Sequence, residues 1–236
     1  MTAPTAIPTH QPKRAAPLLE NGDRLPRDEF ERRYGAMPDV KKAELIEGEV
    51  YMPSPVRANQ HGEQHADLIG WLVRYRAATP GVRAADNATV RLDLDNEPQP
   101  DVALYLDHDR GGQTHIDEDG YLAGAPELVA EVAASSVSVD LGRKMTAYRR
   151  NGVREYMVWR VLDGAVDWFR LRGGQFEPLA TAQDGILRSD IFPGLWLDPT
   201  ALLAGDLGRV FEVLHQGIAS ADHAAFVARL ARKPTD

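Results

Sequence analysis

The sequence predicts an α/β domain of mixed (α+β) order, with helices packed on a sheet. Three observations carry this. PELVAEVA (residues 126–133) is a short apolar run behind turn residues, which reads as a buried strand. His65, Leu68, Ile69, Leu72 and Tyr75 recur at helical spacing over residues 60–78. Residues 155–161, 165–172 and 175–180 alternate like strands and are separated by Asp163-Gly164 and Gly173-Gly174, both hairpin signals.

The elements follow in order. Residues 1–22 are rich in Pro, Ala and Thr without periodicity, and are expected to lack fixed structure. A short helix is expected over 27–34, with Asp28, Glu29 and Glu31 at its favourable end. Residues 43–55 (AELIEGEVYMPSP) form two extended pieces around Gly48, a hairpin. Asn59 is placed to cap the 60–78 helix, and Pro80-Gly81 ends it. Residues 88–94 and 99–106 read as extended, and the acidic, Gly-rich stretch 107–124 as a loop. Ser138 or Asp140 starts a helix that Asn151-Gly152 stops. Helices over 207–216 and 221–232 close the chain, so the main domain is expected at 23–205 and a helical extension at 206–236.

Composition excludes several classes. The 236 residues include no cysteine, which removes disulfide scaffolds, zinc ribbons, iron–sulfur clusters and thiol nucleophiles. No apolar run is long enough to cross a bilayer, and no secretory signal is read at the N-terminus, so a cytoplasmic protein is expected. The net charge of −8 argues against coating nucleic acid by bulk electrostatics. That charge resides in residues 93–119, which hold nine acids and one base; residues 143–172 reverse the bias with eight bases against three acids. Taken alone, the asymmetry is better explained by solvated loops and helix faces than by a cation-binding and a phosphate-binding region.

Two carboxylates stand where an ordinary core would not want them. Asp101 opens the strand DVALY after Pro100, and Glu131 lies inside LVAEVA. An ionised carboxylate in an apolar strand costs several kcal/mol unless it is paired or bound to a cation. Alternation puts Glu131 with Val129 and Ala133, and Asp101 with Ala103 and Tyr105. If the strands are neighbours, the two carboxylates converge as hard oxygen donors suited to Mg²⁺ or Mn²⁺. Lys144 shares the inward helix face of Leu141 and Tyr148, so it either snorkels or supplies the counter-charge to Glu131. An arginine salt bridge to Glu131 and a loop-capping role for Asp101 are the structural alternatives.

Together ELIEGEVYMPSP, QPDVALY, PELVAEVAASS, DLGRKMTAYRRNGVREYMVW and FPGLWLD resemble the Uma-two-like, restriction-endonuclease-like proteins of the PD-(D/E)XK nuclease superfamily over about residues 25–203. The resemblance implies a central mixed sheet flanked by helices and Mg²⁺-dependent hydrolysis of phosphodiester bonds in DNA. It also implies that Pro100-Asp101 supplies the first motif's carboxylate and Glu131 the later acid. The superfamily's usual lysine position is Ala133 here, so the amine is assigned to Lys144 of the following helix. Glu44 becomes an accessory acid or a hairpin surface residue, and the family's acid after the EY strand is replaced by Trp159-Arg160. On this reading Asp101, Glu131 and the Val132 carbonyl hold the metal, and Lys144 positions or deprotonates the attacking water. Arg143, Arg149 and Arg150 are candidate contacts to the nucleic-acid backbone, and a homodimer through the C-terminal helices is expected. His61 and His65 (HGEQH) have zinc-ligand spacing but lack the zincin glutamate and an evident third ligand, so a helix-start polar contact or the edge of the substrate cleft is expected there, with His61 as an accessory residue. The rival is a nuclease-fold module that binds or assembles without catalysis.

Overall fold

A computed structural model describes residues 17–52, 57–58 and 61–232. The chain runs through α1 (Arg27–Tyr34), the hairpin strands β1 (Glu44–Ile46) and β2 (Glu49–Tyr51), α2 (Gly62–Ala78), β3 (Val82–Asp86), β4 (Val90–Arg91) and β5 (Val102–Leu106). The short strands β6 (His115–Ile116) and β7 (Leu122–Ala123) precede β8 (Leu128–Ala133). Next, α3 (Val137–Val139) passes through a π-helical turn (Asp140–Lys144) into α4 (Met145–Asn151). Strands β9 (Glu155–Arg160), β10 (Ala165–Arg172), β11 (Gln175–Pro178), β12 (Leu187–Arg188) and β13 (Trp196–Leu197) lead to α5 (Pro199–Leu203), α6 (Leu207–Ile218) and α7 (Ala221–Ala231).

The main sheet has the order β11-β10-β9-β8-β5-β3. It is mixed: β8 and β9 run parallel, and every other neighbouring pair is antiparallel. A parallel pair needs a crossover, and the α3–π-turn–α4 segment supplies it. Every residue of β8 is buried, because both faces of the sheet are covered. On one face Leu128, Ala130 and Val132 pack with Trp71, Leu72 and Tyr75 of α2 and with Val210, Leu214 and Phe226 of the last two helices. On the other, Val129 and Ala133 pack with Tyr148, Tyr156 and Val158. Each such fully buried large side chain contributes about 1.5–3 kcal/mol. The segment from residue 206 thus places its apolar faces in the same core as the sheet.

The β1–β2 turn is Glu47-Gly48, both with positive φ (53° and 72°), the geometry that suits the twist of a two-residue hairpin. Gly152 ends α4 at φ 84°, as its Asn-Gly signal predicts. Several expectations need correction. Residues 88–94 give only the two-residue β4, and the 107–124 loop contains β6 and β7, which form a small separate sheet with β4 in the order β4-β7-β6. The edge strand β3 and the elements β12, β13 and α5 went unread: VRAAD carries one β-branched residue and no alternation, and the others are very short. The helical segment after β8 starts at Val137, ahead of both proposed caps. Asn59, the Pro53 and Pro55 end of the hairpin motif, and residues 1–16 lie outside the described residues.

Candidate active site

The sheet register assembles the site. β5 pairs with β8 through Val102↔Ala130 and Ala103↔Val129, which brings Asp101, just ahead of β5, alongside Glu131. The two residues cross-link the strands. Asp101 Oδ2 accepts the Val132 N–H at 2.8 Å, and Glu131 Oε2 accepts the Asp101 N–H at 3.3 Å. The β1–β2 hairpin is tied in by backbone hydrogen bonds exchanged between Leu45 and Glu97, and this seats Glu44, whose Oε1 accepts the Gln99 N–H at 2.7 Å. The helical segment after β8 then folds back over Glu131. Lys144 Nζ lies 2.9 Å from Glu44 Oε1, 3.1 Å from Glu131 Oε1 and 3.6 Å from Asp140 Oδ1. One turn on, the Tyr148 hydroxyl donates to Glu131 Oε1 at 2.9 Å. At Asp101, His61 Nε2 reaches Oδ2 at 3.1 Å and Lys42 Nζ stands 3.8 Å from Oδ1.

Glu44, Asp101, Glu131 and Asp140 are all at most 5% exposed, and Lys144 is 5% exposed. Three buried carboxylates, Glu44, Glu131 and Asp140, therefore surround one buried ammonium, and Asp101 adjoins Glu131. Burial alone would push the Asp101 carboxyl up, but the His61 hydrogen bond, the Lys42 charge and the Val132 N–H outweigh it and hold the group at about 2. Glu131 goes the other way: burial and the charges of Asp140, Asp101 and Glu44 overcome Lys144 and push it up to about 8. Burial also raises Asp140, against Lys144 and a hydrogen bond from Ser136. Burial would lower Lys144, yet Glu131, Glu44 and Asp140 hold it well above the ordinary lysine range, so it is an ammonium. Asp101 is thus a firm anion, and Glu131 is the more readily protonated of the pair, so a divalent cation would compete with its proton.

This gives a pH dependence of stability. Glu131 titrates higher in the folded protein (about 8) than its ordinary 4.5, so the folded state binds its proton more tightly. The resulting stabilisation is complete below about 4.5 and is lost as pH rises through about 8. Without divalent metal, the melting temperature is expected to fall between pH 5.5 and 8, and Glu131→Gln should flatten part of that fall. An equal or steeper slope in the variant would contradict the assignment.

The structure thus brings together Asp101, Glu131, Lys144 and Glu44, with His61 at the edge and Val132 donating to Asp101. It does not bring in the arginines. Arg143 pairs with Glu49, Arg149 donates to the Gly174 carbonyl, and Arg150 pairs with Glu47 and Asp93. His65 Nε2 lies 3.1 Å from both the Asp101 carbonyl and Asp86 Oδ1. Sequence reasoning missed Asp140, Tyr148 and Lys42 as site residues. The first two stand four residues to either side of Lys144, a spacing that could have placed them beside it. Lys42 sits in an aperiodic link and gave no signal.

Among the described residues no three His, Asp or Glu side chains form a ready-made metal cage. The donor set nevertheless fits a hard divalent ion. Asp101 and Glu131 supply carboxylate oxygens, and the cluster carries more negative charge than its lysine offsets. The buried Nδ1 of His61, beside Asp101, also has no hydrogen-bond partner among the described residues. Mg²⁺ characteristically keeps several waters and takes only one or two protein carboxylates.

The molecule is thus a mixed α/β fold with helices on both faces of the sheet, carrying paired acids and a buried lysine at the junction of an antiparallel and a parallel strand pair. The family described as "Uma2: Putative restriction endonuclease" matches residues 27–200, and the chain belongs to that family. The crystal structure of an Anabaena variabilis protein, described as a putative nuclease belonging to DUF820, superposes with a TM-score of 0.55. It covers 80% of this chain and 99% of its own at 15% identity, a likeness of fold. No curated protein matches the chain. No described helix is long and apolar enough to cross a membrane.

Proposed function

We propose that the protein is a divalent-metal-dependent endonuclease that hydrolyses phosphodiester bonds in DNA. The observation that carries this reading is the meeting of Asp101, Glu131 and Lys144 in one buried cluster whose negative charge exceeds its positive charge. Asp101 and Glu131, with the Val132 carbonyl, would hold Mg²⁺ or Mn²⁺. When bound, the ion would polarise the scissile phosphate and acidify a water nucleophile.

The chain's own groups prepare that site. His61 and Lys42 keep Asp101 ionised, so one ligand is always charged. Tyr148 and Lys144 both grip Glu131 Oε1, which orients its other oxygen toward Asp101. As a firmly held ammonium, Lys144 cannot take a proton from water. Its role is to fix Glu44, Glu131 and Asp140 and to supply positive charge behind the reacting centre.

The test is incubation of plasmid, linear duplex, single-stranded DNA and RNA with Mg²⁺, Mn²⁺ or EDTA, with Asp101→Asn purified in parallel. Cleavage of DNA that needs the metal and disappears in the variant is expected. DNA binding without cleavage under any condition would favour an inactive nuclease-fold module. Cleavage that survives the substitution would place the chemistry elsewhere.

A further inference from the structure

Two lysines flank the same pair of carboxylates, and they differ in freedom. Lys144 has spent its donors: an ammonium offers three N–H groups, and three carboxylates surround it at 2.9, 3.1 and 3.6 Å. Its side chain is 6% exposed. To reach a substrate phosphate it would have to leave Glu44, Glu131 and Asp140 buried without their cation, which is strongly unfavourable.

Lys42 is in the opposite position. Its side chain is 24% exposed, and its contacts are long: 3.8 Å to Asp101 Oδ1 and 3.4 Å to the neutral amide oxygen of Asn87. These cost little to exchange. Its backbone is nonetheless fixed, because it directly precedes the buried Ala43 and the anchored Glu44. Its ammonium therefore stays near Asp101 on a flexible stem, beside the oxygen that the Val132 N–H and His61 leave free. A phosphodiester entering from solvent to meet a cation on Asp101 would meet Lys42. In a chain of net charge −8, Arg143, Arg149 and Arg150 are already committed to internal partners, whereas Lys42 stands beside Asp101 on weak contacts.

Resting on the nuclease reading above, we propose that Lys42 is the catalytic residue that contacts the reacting phosphate, and that Lys144 is a positioning residue. The phosphate takes over the donors that Lys42 now spends on Asp101 and Asn87, and no covalent step involves the lysine itself.

The test uses the full chain with Lys42→Ala, Lys42→Arg and Asp101→Asn. Four quantities are read: single-turnover cleavage in Mn²⁺, oligonucleotide binding by fluorescence anisotropy in Ca²⁺, Mn²⁺ affinity by calorimetry, and melting temperature. Lys42→Ala should slow single-turnover cleavage by about 100-fold, the scale for losing one donor to a charged transition state. It should also lower the salt slope of duplex binding by about 0.9, the value for one phosphate contact. Mn²⁺ affinity and melting temperature should hold, and Lys42→Arg should restore most of the rate. Cleavage by Lys42→Ala within threefold of wild type, while Asp101→Asn is dead, would overturn the proposal. So would a loss of Mn²⁺ affinity in step with the rate, because Lys42 would then serve only to hold Asp101. If wild type neither binds nor cleaves, or Asp101→Asn cleaves like wild type, the underlying nuclease reading fails, a pattern distinct from either.

Discussion

Asp101→Asn is expected to lower metal-dependent cleavage by about 10³-fold or more, equivalent to about 4 kcal/mol of barrier. The amide keeps the shape and can still accept the Val132 N–H that links β5 to β8. What disappears is a carboxylate held ionised, at about 2, by His61, Lys42 and that N–H against its burial. The stability cost is smaller and has a defined sign. Because the folded value lies below the ordinary 3.8, ionised Asp101 stabilises the protein above about pH 4, and this is lost as pH falls through about 2. The difference is worth about 2 kcal/mol at neutral pH. Single-turnover rates and urea melts of the two proteins separate the effects. A variant that melts like wild type and cleaves like wild type would remove Asp101 from the site.

The largest stability effect is expected at Lys144. Lys144→Met keeps the apolar stem and deletes the ammonium shared by Glu44, Glu131 and Asp140. Breaking a buried ion pair by removing one partner costs about 3–5 kcal/mol, because the other partner is left uncompensated. Here three carboxylates lose their cation together. Equilibrium urea unfolding at pH 7.5 should register a loss in that range. Lys144→Met combined with Glu131→Gln should recover part of it, since the amide needs no counter-charge; the coupling is read from the double-mutant cycle. A cost below about 1 kcal/mol, the scale of an exposed pair, would show that the cluster is wetter or looser than its distances indicate.

The parts of this site that were legible in the sequence share one property: each breaks a local pattern. Glu131 interrupts an apolar strand, Asp101 opens one behind a proline, and Lys144 sits on an apolar helical stripe. Such residues need partners, and a strand followed by a crossover helix limits where partners can be. Asp140 broke no pattern, because an acid at the start of a helix is ordinary there, although it is buried against Lys144. Lys42 and the tie between Leu45 and Glu97 depend on long-range register, which no local periodicity encodes. The basic bias of residues 143–172 was visible, but its consequence was not. Charge counts do not say that Arg143 and Arg150 meet Glu49, Glu47 and Asp93, carboxylates distant in sequence. On the fold side, the long elements declared themselves through periodicity, while β4, β6, β7, β12 and β13 are two-residue pairings fixed by tertiary contact.

The central claim, that Asp101 and Glu131 form a divalent-cation site, is tested most directly by calorimetric titration of the metal-free protein with Mn²⁺ at pH 6.5 and 8. Saturable binding is predicted, tighter at the higher pH as Glu131 gives up its proton, and lost in both Asp101→Asn and Glu131→Gln. Absence of binding by the wild type, or undiminished binding by either variant, would contradict it.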